Sequence, residues 1–333
     1  MKSNYNGEAE YYSVNNENIR CELCPNYCLI PPGRSGICNV RANTGGKIHL
    51  PYYGRITSLC LDPVEKKPLF HFFPGREILS VGFAGCSFKC PFCQNHSLSR
   101  IEAGIHTESM LPEDIVRIAA HKKSFGIAYT YSEPLIHFEY LKRTSILAKK
   151  SGLKNVIVTN GHLNKKPAEE LLEYVDAANI DLKSFSKDFY SEELGGNLET
   201  VKEFIKTAYR KCFIEITTLV IPGKNDSSDE IEGIARFIAG IDPSIPYHLS
   251  CYHPAYKYTI PPTSLKSIME LQKTAQKHLK WVFPGNTAGI DQNSRCPECG
   301  NLLIERSGYS SKIVGIENGE CTGCKINLQI FGI

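Results

Sequence analysis

From about residue 78 the chain alternates short runs rich in β-branched and aromatic residues with longer segments whose apolar residues recur every three or four positions. The runs ILSVGF, GIAYTY, NVIVTN, ANIDL, FIEITTLVI, YHLSC and KWVF predict strands. Between them LPEDIVRIAAHKK, SSDEIEGIARFIAG and TSLKSIMELQKTAQKHL predict helices, started by Pro112 with its early acids, by Ser227 and Ser228, and by Thr263. Six or seven such units predict an α/β fold, a partial (β/α)6 barrel around a parallel sheet. In such folds the side chains that act gather where strands end and loops begin. Glu133, Asn160, Asp181, Lys183, Tyr252 and His253 fall at those positions.

Two cysteine-rich pieces flank this body. The expected division is an amino-terminal segment, 1–75, with Pro/Gly-rich passages (PPGRSG, LDPVEKKPLFHFFPG), a core over 76–290, and a small carboxy-terminal domain over 291–333. A chain of 333 residues accommodates one barrel of about 250 residues plus such extras. No solenoid-period repeat and no low-complexity tract is visible.

Composition narrows the class mainly by exclusion. Hydrophobic residues make up 42% of the chain without any long apolar run, which predicts a soluble protein and no membrane span. The first twenty residues have neither a basic start nor an apolar centre, so a secretory signal is not expected and the cytoplasm is. With 38 basic and 35 acidic residues, charge points to neither nucleic acid nor an anionic membrane as partner. Fourteen cysteines in a reducing compartment point instead to metal or catalysis.

The densest group is GCSFKCPFCQN, where Cys86, Cys90 and Cys93 follow directly after a predicted strand. A disulfide cannot use three thiols, whereas one loop can wrap three around an inorganic centre. A cubane iron–sulfur cluster normally takes four thiolates, so three leave one iron open. An open coordination position is what a catalytic metal keeps for a small molecule.

The flanks read differently. Cys296-Pro-Glu-Cys299 and Cys321-Thr-Gly-Cys324 are two knuckles joined by about twenty residues of strand-like text, the spacing of a tetrahedral zinc ribbon. Metal binding there would supply folding energy that so small a segment cannot bury for itself. Zinc is favoured over an auxiliary cluster or rubredoxin-type iron. Cys21, Cys24, Cys28 and Cys38 form a further quartet, read as a second structural zinc in preference to an electron-relaying cluster. Cys60 and Cys212 read as small buried hydrophobes, as does Cys251, although its strand end leaves a radical role open.

The loop, with Phe92 just before its last cysteine, resembles that of the radical S-adenosylmethionine (SAM) superfamily. The resemblance implies that SAM chelates the open iron through its amino and carboxylate groups, and is cleaved by one electron to methionine and a 5′-deoxyadenosyl radical. Tyr131-Ser132-Glu133-Pro134 is similar to the superfamily's Gly-Gly-Glu-Pro motif, with only Glu133 and Pro134 matching. Thr159-Asn160-Gly161 and Asp181-Leu182-Lys183 resemble segments of glycyl-radical activating enzymes, as do the run Val220 to Asp226 and Tyr252-His253. Those enzymes usually carry Asp where this chain has Val158. The implied cofactor contacts are Phe92, Ser132, Glu133, Thr159, Asn160, Asp181, Lys183 and His253.

Segments across nearly the whole chain resemble the AmmeMemoRadiSam system radical SAM enzymes. They include PGRSGICNVR (32–41), DPVEKKPLFHFFPG (62–75), TYSEP, VTNG, IDLKSF, TTLVIPGKND and HPAYK. Ser132 and Val158 are ordinary in that family, whereas Lys325 replaces a glycine usual after the last cysteine. The resemblance implies Memo-like and AMMECR1-like partners, and the chemistry implies an electron donor such as flavodoxin or ferredoxin. The expected function is reductive cleavage of SAM on a [4Fe-4S] cluster and hydrogen abstraction from a substrate the sequence does not identify. The alternatives are an activase that makes a glycyl radical on a partner protein, and a non-catalytic zinc-dependent scaffold.

Overall fold

A computed structural model of the chain describes residues 9–102 and 104–332. Positions 1–8, part of the stretch read for a secretory signal and of the amino-terminal segment, lie outside the described residues, as does position 333 of the carboxy-terminal segment. Two compact units are present. One takes the chain up to Leu61, Ile78–Ala178 and Lys187–Cys212, and the other Asp62–Glu77, Asn179–Ser186 and the chain from Phe213 onward.

In the first unit, strands β1 (Glu77–Gly82, in this unit from Ile78 on), β2 (Gly126–Thr130) and β3 (Lys154–Thr159) pair in parallel, with Leu79 opposite Ile127 and Ile127 opposite Asn155. Every residue of β2 is buried, the near-continuous burial of a parallel strand covered on both faces. Its helices include α1 (His96–Arg100), α2 (Pro112–His121), α3 (Phe138–Lys150), α4 (Lys165–Leu171) and α5 (Leu198–Tyr209). Pro112 opens α2 as expected, and the Asp114 carboxylate accepts the Leu111 N–H at 3.1 Å, satisfying a donor the helix start leaves free.

The amino-terminal segment contributes antiparallel strands, Tyr12–Asn15 with Asn18–Cys21. It is tied to α3 by charge: Arg41 Nη1 lies 2.8 Å from the Glu139 carboxylate, both side chains 1% exposed, and the Glu10 N–H donates to the same carboxylate. A pair this deeply buried survives only because each ion has its partner. Strand β4 (Ala177–Asp181) divides, its first two residues belonging to this unit and its last three to the other.

In the second unit β5 (Phe213–Val220), β6 (Tyr247–Cys251) and β7 (Val282–Gly285) are parallel, with Ile216 opposite Tyr247 and Tyr247 opposite Val282. Helices α6 (Ser228–Ala239) and α7 (Leu265–Gln276) accompany them. Ser227 caps α6 as the sequence suggests, accepting the Glu230 N–H. The expected cap of α7 is corrected: Ser264 accepts the Ser267 N–H, while the Thr263 hydroxyl accepts from the Tyr252 N–H and donates to the Val220 carbonyl. Strand β7 also starts two residues later than the run KWVF implies.

The terminal ribbon pairs β8 (Leu302–Ser307) with β9 (Ser310–Ile313). Its apolar residues do not stand alone: Leu303, Ile304, Leu328 and Ile330 share a buried cluster with Phe70, Trp281 and Phe283. Beside it the wholly buried Glu215 accepts the His71 N–H at 2.7 Å and meets His248 Nε2 at 2.5 Å, while His71 Nε2 reaches Ser294 Oγ at 2.8 Å. Parallel strands alternating with helices are the α/β class the patterning predicts. Among the described residues no helix is long and apolar enough to cross a membrane.

Candidate functional site

The three-cysteine loop leaves β1 through Gly85, whose φ of +85° belongs to glycine and whose N–H donates to the Leu98 carbonyl at 2.9 Å. A side chain there would also collide with the Cys38 carbonyl, 2.5 Å from the Cβ position. Packing from within the unit fixes the rest of the loop. The Phe88 ring meets His162 at 4.8 Å and lies against Gly196, where a Cβ would sit 2.2 Å from it. Arg100 donates to the Phe88 carbonyl, the Lys89 N–H to the Leu194 carbonyl, and Asn26 Nδ2 to the Ser87 carbonyl. The thiols are therefore held in place by the protein itself.

Glu133 joins this loop to two strand ends. Only 2% exposed, its carboxylate accepts the Thr159 hydroxyl at 2.6 Å, the Asn160 N–H at 2.8 Å and the Leu135 N–H at 3.0 Å. The Asn160 side chain then donates to Cys86 Sγ at 3.7 Å and to Ser87 Oγ at 3.2 Å. Burial first, then the Glu133 carboxylate and the sulfurs of Cys90 and Cys93, push the Cys86 thiol well above its ordinary range. Metal coordination reverses that preference, because a ligating thiol is deprotonated.

Cys86, Cys90, Cys93, Glu133, Thr159 and Asn160 are thus brought together in the first unit. Ser132 is beside them, its hydroxyl oxygen buried without a hydrogen-bond partner. The Phe92 ring is 3% exposed and stacks on Phe189 at 6.2 Å.

The remaining expected contacts lie in the second unit. Lys183 Nζ pairs with Asp181 Oδ2 at 2.8 Å, both half-buried. Asn225 fixes that strand end: its Nδ2 donates to the Lys183 and Leu219 carbonyls, and its Oδ1 accepts the Ile221 N–H at 2.6 Å. His253 is exposed, with Nε2 donating to the Asn286 carbonyl at 3.1 Å.

The carboxy-terminal cysteines converge as expected. Cys296 Sγ and Cys324 Sγ are 3.5 Å apart, Cys299 Sγ and Cys321 Sγ 3.7 Å, and all four sulfurs lie within 4.8 Å of one another. A single tetrahedral ion with bonds of about 2.3 Å sets its sulfurs about 3.8 Å apart. Among the described residues this is the one group of three or more metal-ligating side chains drawn so close; the loop thiols and the amino-terminal thiols are spread more widely.

Three participants had escaped the sequence reading. Asn225 sits in the run Val220 to Asp226, but its threefold hydrogen bonding joins residues far apart in the chain. His162, just beyond Thr-Asn-Gly, accepts the Asn197 N–H at 3.1 Å, leaves Nδ1 unpartnered, and is pushed down to about 4 by burial. Cys60, read as packing, has its sulfur 3.2 Å from the Tyr131 hydroxyl.

Comparison with known proteins gives this arrangement a family. The model of the radical SAM superfamily matches residues 80–238. A Methanocaldococcus jannaschii chain, described as an uncharacterized protein, is 39% identical over 326 residues, covering 96% of this chain and 97% of the relative. An α/β chain whose first parallel strand opens into three preset thiols, it belongs to the radical SAM superfamily, whose members are enzymes and whose membership implies a [4Fe-4S] cluster and SAM. Within that superfamily it is similar to the pyruvate formate-lyase 1-activating enzyme of Escherichia coli, 24% identical over 191 residues, covering 56% of this chain and 77% of that enzyme. In fold alone it is like Streptococcus suis SuiB bound to S-adenosylmethionine, with a TM-score of 0.51 and 16% identity, covering 68% of this chain and 54% of that one.

Proposed function

We propose that the chain is a SAM-cleaving enzyme of the AmmeMemoRadiSam kind, with Cys86, Cys90 and Cys93 holding a [4Fe-4S] cluster. When bound, the cluster supplies one open iron and one electron, and SAM supplies the 5′-deoxyadenosyl group that takes hydrogen from substrate. The observation that carries the reading is the chain of contacts from Cys86 through Asn160 to Glu133, with the unpartnered Ser132 hydroxyl next to it. Ser132 offers a hydrogen bond to the amino-acid end of SAM, and the Glu133 carboxylate supplies the negative charge an ammonium needs. Asn160 keeps Cys86 oriented, the task of a ligand's supporting partner. Within the second unit, Asn225 fixes the strand end that carries Asp181 and Lys183.

The terminal quartet is assigned structural zinc, since its sulfur spacing fits one tetrahedral ion. Memo-like and AMMECR1-like proteins, together with a flavodoxin or ferredoxin as electron donor, are the proposed partners in the cytoplasm. A second reading, as an activase acting on a partner's glycine, is favoured by the similarity to the pyruvate formate-lyase 1-activating enzyme.

The test is anaerobic reconstitution followed by dithionite and SAM. 5′-Deoxyadenosine should form, and Cys90→Ser should abolish it. Cluster-loaded protein that releases none would overturn the proposal. A glycyl-radical signal appearing on a partner protein would favour the activase.

A further inference from the structure

We infer that Cys21, Cys24, Cys28 and Cys38 hold a second iron–sulfur cluster, coordinated at all four corners, which carries electrons to the cluster of the Cys86 loop. The four thiols line one small cavity. No three of their sulfurs nevertheless lie within 4.8 Å of one another, as those of the terminal quartet do. One zinc ion pulls four sulfurs to about 3.8 Å. A cubane places a body of iron and sulfide between them and needs the wider setting, which the three loop cysteines share.

Two further features fit a cluster. Arg41, 1% exposed, lines the same cavity, and its Nε has no hydrogen-bond partner although its Nη1 is engaged by Glu139. That unmet N–H is a donor available to a cluster sulfur. A backbone N–H also serves a sulfur: the Ile37 N–H reaches Cys28 Sγ at 3.5 Å. Hydrogen bonds to sulfur are among the groups that set a cluster's potential.

Position supplies the role, which rests on the function proposed above. The Cys38 carbonyl packs against Gly85, the residue before Cys86, and Asn26, between Cys24 and Cys28, donates to the Ser87 carbonyl at 2.9 Å. A low-potential ferredoxin or flavodoxin gives one electron to the amino-terminal cluster, which is oxidised again as it passes that electron to the loop cluster. The proposal departs from the zinc favoured on spacing alone.

The test is anaerobic reconstitution of the full chain with iron, sulfide and zinc together, followed by metal and sulfide counting and electron paramagnetic resonance. In the variant Cys86→Ala/Cys90→Ala/Cys93→Ala, about four irons and about four sulfides per chain should remain. Their signal should not change on adding SAM, because no corner is open. Adding Cys24→Ser should remove that iron, while zinc at about one per chain in both variants reports an intact ribbon. About two zincs and no iron in the triple variant overturn the proposal. If the unmodified chain then holds about four irons, the loop cluster stands and only this inference fails. If the triple variant keeps as much iron as the unmodified chain, this site stands and the loop reading fails. For the role, Cys24→Ser in the otherwise native chain should slow ferredoxin- or flavodoxin-driven formation of 5′-deoxyadenosine at least about tenfold while the loop cluster's iron is retained. An unchanged donor-driven rate overturns the relay.

Discussion

Cys296, Cys299, Cys321 and Cys324 are gathered within 4.8 Å by two knuckles, whereas Cys86, Cys90 and Cys93 are spread along a loop braced by residues distant in sequence. The knuckles close locally and alike. The Gly300 N–H donates to the Cys296 carbonyl and the Lys325 N–H to the Cys321 carbonyl, both at 2.9 Å. Both residues take left-handed backbone, φ +74° and +63°, and Gly323 leaves room for Cys299 Sγ, which a Cβ would meet at 3.2 Å. The loop has no such self-sufficiency: Arg100, Leu194, Gly196, Asn26 and Asn160 each hold a part of it. A site that closes on itself suits a metal that only has to stay. One braced from outside suits a metal that must present a free position in a fixed direction.

The contrast breaks most visibly at the knuckles. Cys321→Ser should remove about one zinc per chain, forfeiting a binding energy on the order of 10 kcal/mol. The ribbon should then become sensitive to protease while iron stays; loss of iron together with zinc would show that the two regions are not independent. Asn160→Ala should lower formation of 5′-deoxyadenosine by about 10–100-fold without moving the zinc count. An unaffected rate would mean the loop does not need its bracing.

Acid sharpens the same comparison. Burial pushes His137, which donates to the Ala84 carbonyl at 2.7 Å, and His162 down to about 4 from 6.5. The unfolded chain binds a proton at each site as pH falls below that ordinary value, and the folded chain does not. Stability present at neutral pH is therefore lost on acidification toward about pH 4, at about 1.4 kcal/mol per pH unit per group. Urea midpoints followed downward from neutral pH should fall accordingly, and His162→Gln should make the fall shallower. Midpoints that do not move with pH would contradict the buried neutral state of these rings. The smallest effect belongs to Lys325→Gly, which should raise the ribbon's stability by about 1 kcal/mol by relieving left-handed backbone. Thermal unfolding of the zinc-loaded chain should register it.

Much of this was legible because it is local. Hydrophobic runs located the parallel strands, Pro112 and Ser227 marked helix starts, and cysteine spacing separated three thiol groups. The unread parts are long-range. Thr263 looked like a helix cap, yet its hydroxyl bridges the Tyr252 N–H and the Val220 carbonyl. Glu133 was expected to face a ligand, and most of its described bonds go to Thr159, Asn160 and Leu135, because a buried carboxylate must be satisfied first. Neither the His71–Glu215–His248 cluster nor the pairing of Arg41 with Glu139 has any signature in adjacent residues. Spacing along the chain also says how many thiols meet, not how far apart their sulfurs stand.

The missing side chain of Gly85 reaches further than one turn. The span that matches the superfamily model begins at residue 80, yet the carbonyl nested against that glycine comes from Cys38, and Asn26 donates to the residue two positions on. A fragment cut to the matched span would carry every cluster cysteine of the loop and lack two of its supports. The smallest piece able to shape this loop therefore starts well upstream of the recognisable motif.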